Sequence, residues 1–281
     1  RAAPGRGKTL TTALATRTIR PAFCDFSEPT KPTSPETPLV NLADIKKLHQ
    51  KKYRQSFGHY LVEGEHLVLE LQKAADRQPA LTASELYVTG AYEHWQSPFR
   101  THVISDRQMA QLADTRTPQG ILAVVPMPER PAEPVPGEKT IYLHEVQDPG
   151  NLGTILRTLA WFGGFRCLLS PGSVDPFNPK VVRASMGALF HVPLETDVAL
   201  TSLPDRYQSL ACLDLNGGSM ASRGFREHDC YLFGNEARGV PREALNQLKA
   251  VSYSIQGQGQ IESLNLASAV NMCTYELMRD L

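Results

Sequence analysis

The chain has 281 residues, enough for one large domain or two ordinary ones. Its composition, 41% hydrophobic and 21% charged, is average for a globular protein. Lys+Arg and Asp+Glu are both 29, so the net charge is zero and any nucleic-acid surface has to be local. The five cysteines (Cys24, Cys167, Cys212, Cys230 and Cys273) are scattered and odd in number. No CxxC or Cys/His cluster has zinc-ligand spacing, so reduced thiols and no structural metal are expected. No apolar run approaches the roughly 18 residues that cross a bilayer, and no signal-peptide pattern is present. The expectation is a cytoplasmic protein without membrane contact. The chain opens on Arg1 rather than Met, as a fragment of a longer protein would.

Residues 1–38 read as an irregular segment. Prolines interrupt it at Pro4, Pro21, Pro29, Pro32, Pro35 and Pro38, and Arg1, Arg6, Lys8, Arg17 and Arg20 have no acidic neighbour before Asp25. Such a stretch buries too little apolar surface to offset the entropy of ordering. It reads as a flexible linker or as a basic arm with nonspecific RNA affinity. Residues 39–125 alternate helix and strand signals. Leu42, Ile45 and Leu48 space like a helix face, Tyr60-Leu61-Val62 is strand-like, and Leu67 to Leu71 is helical. Glu85 to Thr89 and Ile121 to Val125 are strands, giving a small α/β domain. Residues 126–139, rich in proline and charge, form a stiff linker.

From 140 to 281 the alternation is regular. Strands are expected at Ile141 to Val146, at "CLLS", "ACLDL", "CYLFG" and "VSYSI". Helices are expected at Asn151 to Phe162, Pro179 to Phe190, Pro241 to Leu248 and Leu264 to Met278, two of them with Pro near the first turn. Strands alternating with helices imply a mainly parallel sheet covered on both faces, with ligands at the C-terminal strand ends.

Three loops that follow strands carry the candidate chemistry. The first, "DPGNLGTILRT" (Asp148 to Thr158), opens a helix, where amides can bind an anion. It lacks both the GxxxxGK[ST] of a P-loop and a GxGxxG. A tight strand-to-helix turn with Arg157 on a solvated face explains it equally well. The second, "LFGNEARGVP" (Leu232 to Pro241), puts Gly234, Asn235 and Glu236 at a strand end. Helix entry with Pro241 at the first position explains half of it. The third, "IQGQGQIESLNLA" (Ile255 to Ala267), has a Gly-rich turn, and Ser263 or Asn265 can cap the last helix.

Taken together, the three loops resemble the ordered motifs of the SpoU/TrmH family of RNA ribose 2′-O-methyltransferases. The first motif is similar to Asn151-Leu152-Gly153-Thr154-Ile155-Leu156-Arg157-Thr158, the second to Gly234, Glu236 and Gly239, and the third to Ser263-Leu264-Asn265-Leu266-Ala267. The stretch Arg183 to Leu194 also resembles the family between its first two motifs. More loosely, the N-terminal unit resembles the family's L30e-like substrate-binding module. There Lys46, Lys47, Lys51, Lys52 and Arg54 crowd around Tyr53. They read either as a solvated helix end or as an RNA-facing patch, with cations for phosphate and an aromatic for stacking. Arg183 is counted with the RNA-contacting residues.

The resemblance implies an α/β fold: a parallel-sheet SPOUT domain ending in a deep trefoil knot, which pattern reading alone would not propose. It implies a homodimer and S-adenosylmethionine as methyl donor, with no metal. Gly234, Ile255 and Leu264 are then cofactor contacts, largely through backbone. Arg157 is the catalytic arginine, Asn151 and Glu236 orient substrate and arginine, and Ser263 and Asn265 belong to the third motif. A guanidinium with a pKa above about 12 is a poor base, so Arg157 is read as a clamp on phosphate and developing alkoxide. In-line positioning supplies much of the rate. Where the family continues Val-Ser, this chain has Leu266-Ala267, and its Gln256 to Gln260 loop is more polar and Gly-rich than usual. These departures touch cofactor packing and keep open a non-catalytic RNA-binding relative as the alternative to an rRNA or tRNA methyltransferase.

Overall fold

The N-terminal sheet is built from alternating apolar strands. Its elements are α1 (Leu42–Lys47), α2 (Lys51–Phe57), β1 (His59–Glu63), α3 (Glu65–Ala75), β2 (Glu85–Val88), β3 (Arg100–Val103), α4 (Asp106–Leu112) and β4 (Ile121–Pro126). The strand order is β1-β4-β2-β3, with β4 antiparallel to both neighbours and β2 parallel to β3. Side chains of alternate positions point to opposite faces. Leu61, Tyr87, Leu122 and Val124 therefore pack with Ile45 and Leu48 before α2 and with Met109 and Leu112 of α4. Tyr60, Val62, Leu86, Val88, Ile121, Ala123 and Val125 pack on α3 from the other side. The edge strand β3 and α4 have no counterpart among the expected elements. Exposed β3 carries only four residues, too few to show a burial period, whereas α4 announces itself by a Ser105–Gln108 capping box. The computed structural model describes residues 41–129 and 133–279. The Pro-rich segment 1–38 lies outside them, as does the middle of the linker.

The second sheet comprises β5 (Lys139–Leu143), α5 (Pro149–Phe162), β6 (Phe165–Leu169), α6 (Pro179–Ser185), β7 (Leu194–Glu195), β8 (Leu210–Ser219), β9 (Cys230–Phe233), α7 (Arg242–Leu248), β10 (Val251–Ser254) and α8 (Leu266–Met278). All five neighbouring pairs run parallel, in the order β10-β8-β9-β5-β6-β7. Ile141, Leu143, Cys167, Leu169, Tyr231 and Phe233 face α5 and α8, while Tyr142, Leu168, Cys230 and Leu232 face α7. The expected parallel sheet covered on both faces is what forms.

Helix boundaries after β6 differ from expectation for local reasons. Pro179 to Phe190 is not one helix: α6 stops at Ser185, because Met186 and Gly187 take left-handed φ angles of 50° and 91°. Pro241 caps α7 from outside rather than occupying its first turn. Leu264 precedes α8, which begins after Asn265, whose side chain accepts from the Ser268 amide at 3.2 Å. The free cysteines Cys167, Cys212, Cys230 and Cys273 are buried, and burial pushes the first two thiols up to about 12. Among the described residues, no helix is long and apolar enough to cross a membrane.

The described residues from 41 onward belong to one compact unit, in which residues around α6 complete a core of the first sheet. Phe177, Val182 and Phe190 from around α6 insert into the cluster beneath β1 and α3, with the Tyr60 and Phe177 ring centroids 4.8 Å apart. The close approach of α6 to α5 depends on Gly153. A Cβ there would lie 2.4 Å from Ala184 Cβ and 2.7 Å from the Ala184 carbonyl carbon. Gly153→Ala is therefore expected to destabilise the protein by about 1–3 kcal/mol through forced separation of these helices. Urea unfolding checks this; an unchanged midpoint would remove the steric account.

Candidate active site

At one point in the sheet, adjacent strands send their chains apart from one another. β5 and β9 are neighbours, but β5 leads through α5 to β6 on one side, and β9 leads through α7 to β10 beyond β8 on the other. In open parallel sheets, ligands lie outside the carboxyl ends of strands at such a switch point. The first and second loops leave from these two strands.

In the first loop, Asp148 caps α5, its carboxylate accepting from the Asn151 amide at 2.7 Å, and Pro149 occupies the first turn. The helix begins two residues earlier than the expected Asn151. The Asn151 amide is thus already engaged by the protein's own carboxylate, and the Leu152 amide by the Asp148 carbonyl. This is a built helix entry, not a phosphate cradle. Gly153 serves helix packing, as described above.

The side chains of three loops then meet. Asn151 Nδ2 donates to Glu236 Oε1 at 3.1 Å, and Asn265 Nδ2 donates to Asn151 Oδ1 at 2.9 Å. One asparagine on α5 therefore joins the second motif to the third, which lie 29 residues apart in the chain. Asn265 performs two tasks, since its oxygen caps α8 while its amide reaches Asn151. Glu236 sits on a tight turn. Gly239 N–H donates to the Asn235 carbonyl at 2.8 Å, and a Cβ on Gly234 would fall 2.2–2.4 Å from the Gly239 and Val240 backbone. Only glycine fits at Gly234, because backbone and not a side chain crosses there.

The other candidate residues are placed as follows. Arg157 is exposed and has no hydrogen bond or ion pair within the described residues. It lies six residues after Asn151 on α5, about 9 Å further along the helix and on a different face. It is not brought to the Asn151–Glu236–Asn265 chain within this subunit. Ser263 and Leu264 are exposed and Ile255 is half-buried, all on the segment between β10 and α8. Leu266 and Ala267, the departure in the third motif, are buried in the core between α5 and α8. The substitution therefore acts on helix packing and not on the crevice.

The basic patch is smaller than expected. Lys46, Lys51 and Lys52 are exposed, while Lys47 is paired with Asp44 at 2.7 Å. Tyr53 is half-buried, its ring centroid 5.8 Å from that of Phe57, with the Lys52 ammonium 4.6 Å from its centroid. The ring therefore already has partners within the chain. Arg54 is a correction. It is 2% exposed, donates through Nη1 to the Leu48 carbonyl at 2.8 Å, and pairs through Nε with Asp175 at 3.0 Å. It ties α2 to the loop before α6 and is unavailable to RNA. Arg183 is half-buried and pairs with Asp114 at 2.7 Å, a second tie between the two sheets' elements. Spacing alone makes Arg54 look like its lysine neighbours; only its partner 121 residues away distinguishes it.

Beside the site, the motif reading picks out Asn235 only as a polar residue at a strand end and does not pick out Glu145 at all. Asn235 is 9% exposed and donates to the Glu145 carbonyl at 2.9 Å. Glu145 takes a left-handed φ of 51° and binds Arg238 at 2.5 Å. A non-glycine residue at positive φ is not visible in a sequence pattern. Among the described residues, no group of three or more His, Cys, Asp or Glu side chains is placed to hold a metal ion.

Breaking the Arg54 pair from one side strands a buried charge. Arg54→Ala is expected to cost about 3–5 kcal/mol, and Arg54→Ala with Asp175→Ala less than that single change. Urea denaturation of the three proteins checks the order; a single variant as stable as wild type would show that the pair does not hold the sheets together.

Comparison with known proteins fits this geometry. Residues 138–275 match the model of the SpoU rRNA Methylase family, and residues 41–123 match the MRM3-like substrate binding domain. The chain is 32% identical over 245 residues to the 23S rRNA (guanosine(2553)-2′-O)-methyltransferase RlmP of Bacillus subtilis, covering 84% of this chain and 95% of that protein. It is 30% identical over 165 residues to the human mitochondrial rRNA methyltransferase 3, covering 55% of this chain and 39% of that one. Among solved structures, a TrmH-family protein of Porphyromonas gingivalis superposes with a TM-score of 0.74 at 30% identity, over 87% of this chain and 99% of that one. An AdoMet-bound rRNA methyltransferase of Sinorhizobium meliloti superposes with a TM-score of 0.73 at 25% identity, over 87% and 97%. With its three motif loops converging at the switch point of a parallel sheet, the chain belongs to the SpoU rRNA methylase family.

Proposed function

We propose that this protein is an S-adenosylmethionine-dependent RNA methyltransferase that modifies a ribose 2′-hydroxyl, with rRNA as the substrate favoured by its relatives. The observation that carries the reading is the Glu236–Asn151–Asn265 hydrogen-bond chain, which assembles three separate motifs at the β5/β9 switch point.

The residues present suit the methyl donor. Gly234 lets the backbone of Gly239 and Val240 close tightly over the turn after β9, which brings main-chain groups to the strand end. Ile255, Ile261 and Leu264 supply apolar surface on the segment after β10, with Ile261 and Leu264 exposed. When bound, the cofactor supplies an electrophilic methyl group. The chain's own residues do the rest. Asn151, held from both sides, fixes Glu236 and Asn265 relative to α5. Arg157, an exposed guanidinium, stabilises phosphate and the alkoxide developing on the ribose. Lys51 and Lys52 extend the cationic surface along the substrate-binding domain.

The same reading makes the protein a homodimer. Arg157 shares its helix face with Trp161, one turn on, and Trp161 is 84% exposed. Tyr275 and Met272 of α8 are also exposed, and the Tyr275 ring contacts Phe162 with centroids 6.5 Å apart. An apolar face of this kind at the end of α5 suits a second copy of the chain, which would bring further groups to Arg157. The trefoil knot belongs to this proposal as well. It is supported by the C-terminal segment, which leaves edge strand β10 yet returns Asn265 to α5, passing the ends of β8 and β9.

Isothermal titration is expected to show S-adenosylmethionine binding, and Arg157→Ala is expected to keep that affinity while lowering methyl transfer about 10²–10³-fold. Absence of binding by folded protein would overturn the enzyme reading. Full activity of the variant would remove Arg157 from the chemistry. Sedimentation velocity is expected to give a dimer for wild type and a monomer for Trp161→Arg; a monomeric wild type at micromolar concentration would overturn the dimer.

A further inference from the structure

The Asn151–Glu236 bond is exposed to solvent, where water competes for both partners and one hydrogen bond holds little. Something else has to set the separation of the two loops. Asn235 is placed to do so. Its side-chain oxygen accepts from the N–H of Ala237 at 3.0 Å and of Arg238 at 3.3 Å, which closes the turn around Glu236. Its side-chain amide crosses the switch point and donates to the Glu145 carbonyl at 2.9 Å. Asn235 is 9% exposed, so this bond is shielded where its neighbour is not.

The far end is also fixed. The Glu145 N–H donates to Ser170 Oγ at 2.7 Å, its carboxylate accepts from Arg238 Nη2 at 2.5 Å, and its φ of 51° shows that the surrounding contacts dictate its backbone. Glu145 lies between β5 and α5, the helix that carries Asn151. Three side-chain bonds therefore bridge the same pair of loops: the part-buried one from Asn235 to the Glu145 carbonyl, and two exposed ones, from Arg238 to the Glu145 carboxylate and from Asn151 to Glu236.

We infer that Asn235 is a positioning residue for methyl transfer: its amide bridge to Glu145 holds the Glu236 turn in register with Asn151. The inference rests on the methyltransferase reading above. The job needs one short side chain with a donor and a twofold acceptor. Aspartate keeps the acceptor and loses the donor. Serine loses the donor's reach without adding charge.

The test compares wild type, Asn235→Asp and Asn235→Ser in steady-state methylation of rRNA, together with amide hydrogen exchange over residues 144–151 and 234–240. Both variants are expected to lose about tenfold or more in kcat, with KM for RNA changed much less, because misplacement acts on the reacting geometry. Both segments are expected to exchange faster. If Asn235→Asp matches wild type in kcat, or if exchange is unchanged in both variants, the bridge has no positioning role and the inference falls. A wild-type protein without methyltransferase activity would instead sink the functional reading, and the exchange comparison would still decide whether the bridge exists.

Discussion

The constraint on which the rest depends is that β5 and β9 pair side by side while their chains depart to opposite sides of the sheet. Departing chains open a crevice at the carboxyl ends that no side-chain packing has to create. The two loops bordering it need only polar residues at their first positions to become a site. Asn151 and Glu236 are those residues, and their bond exists because the two strands are neighbours. Asn265 arrives by a longer route from the sheet edge, and its double role as α8 cap and Asn151 partner anchors that return.

The N-terminal sheet is fastened to this frame rather than tethered loosely. Phe177, Val182 and Phe190 complete a core that begins with Tyr60, Val62 and Leu67, and Arg54–Asp175 and Arg183–Asp114 add directed contacts. A buried ion pair contributes more to a unique arrangement than to net stability, since desolvation offsets much of its attraction. Arg54 is one of the residues that fix this arrangement, since its guanidinium is engaged by Asp175 and the Leu48 carbonyl.

Much of the fold is legible because periodicity reports burial. The strands of the parallel sheet are near-continuous apolar runs, as sheets covered on both faces require, and their positions follow directly. Glycines are also legible, but not their reasons. Gly153 and Gly234 look alike in sequence, yet one accommodates a neighbouring helix and the other a backbone crossing within its own turn. The edge strand β3 and the break at Met186 escape notice, since four exposed residues have no burial pattern and a left-handed Met is set by its surroundings. At the site, Asn151, Glu236 and Asn265 can be picked out from motif order, whereas Asn235 and Glu145 act through a carbonyl that no sequence motif encodes.

By itself the amino-acid sequence determined the α/β alternation, the family motifs and the residue types available for chemistry, because these follow from local pattern and order along the chain. Tertiary structure alone decided which of those residues meet. It buried Arg54, engaged Tyr53 against Lys52 and Phe57, and left Arg157 apart from the other motif residues on a face shared with Trp161. The physical reason is that contacts between residues distant in sequence depend on strand order and helix packing, and neither is written in the spacing of any one segment.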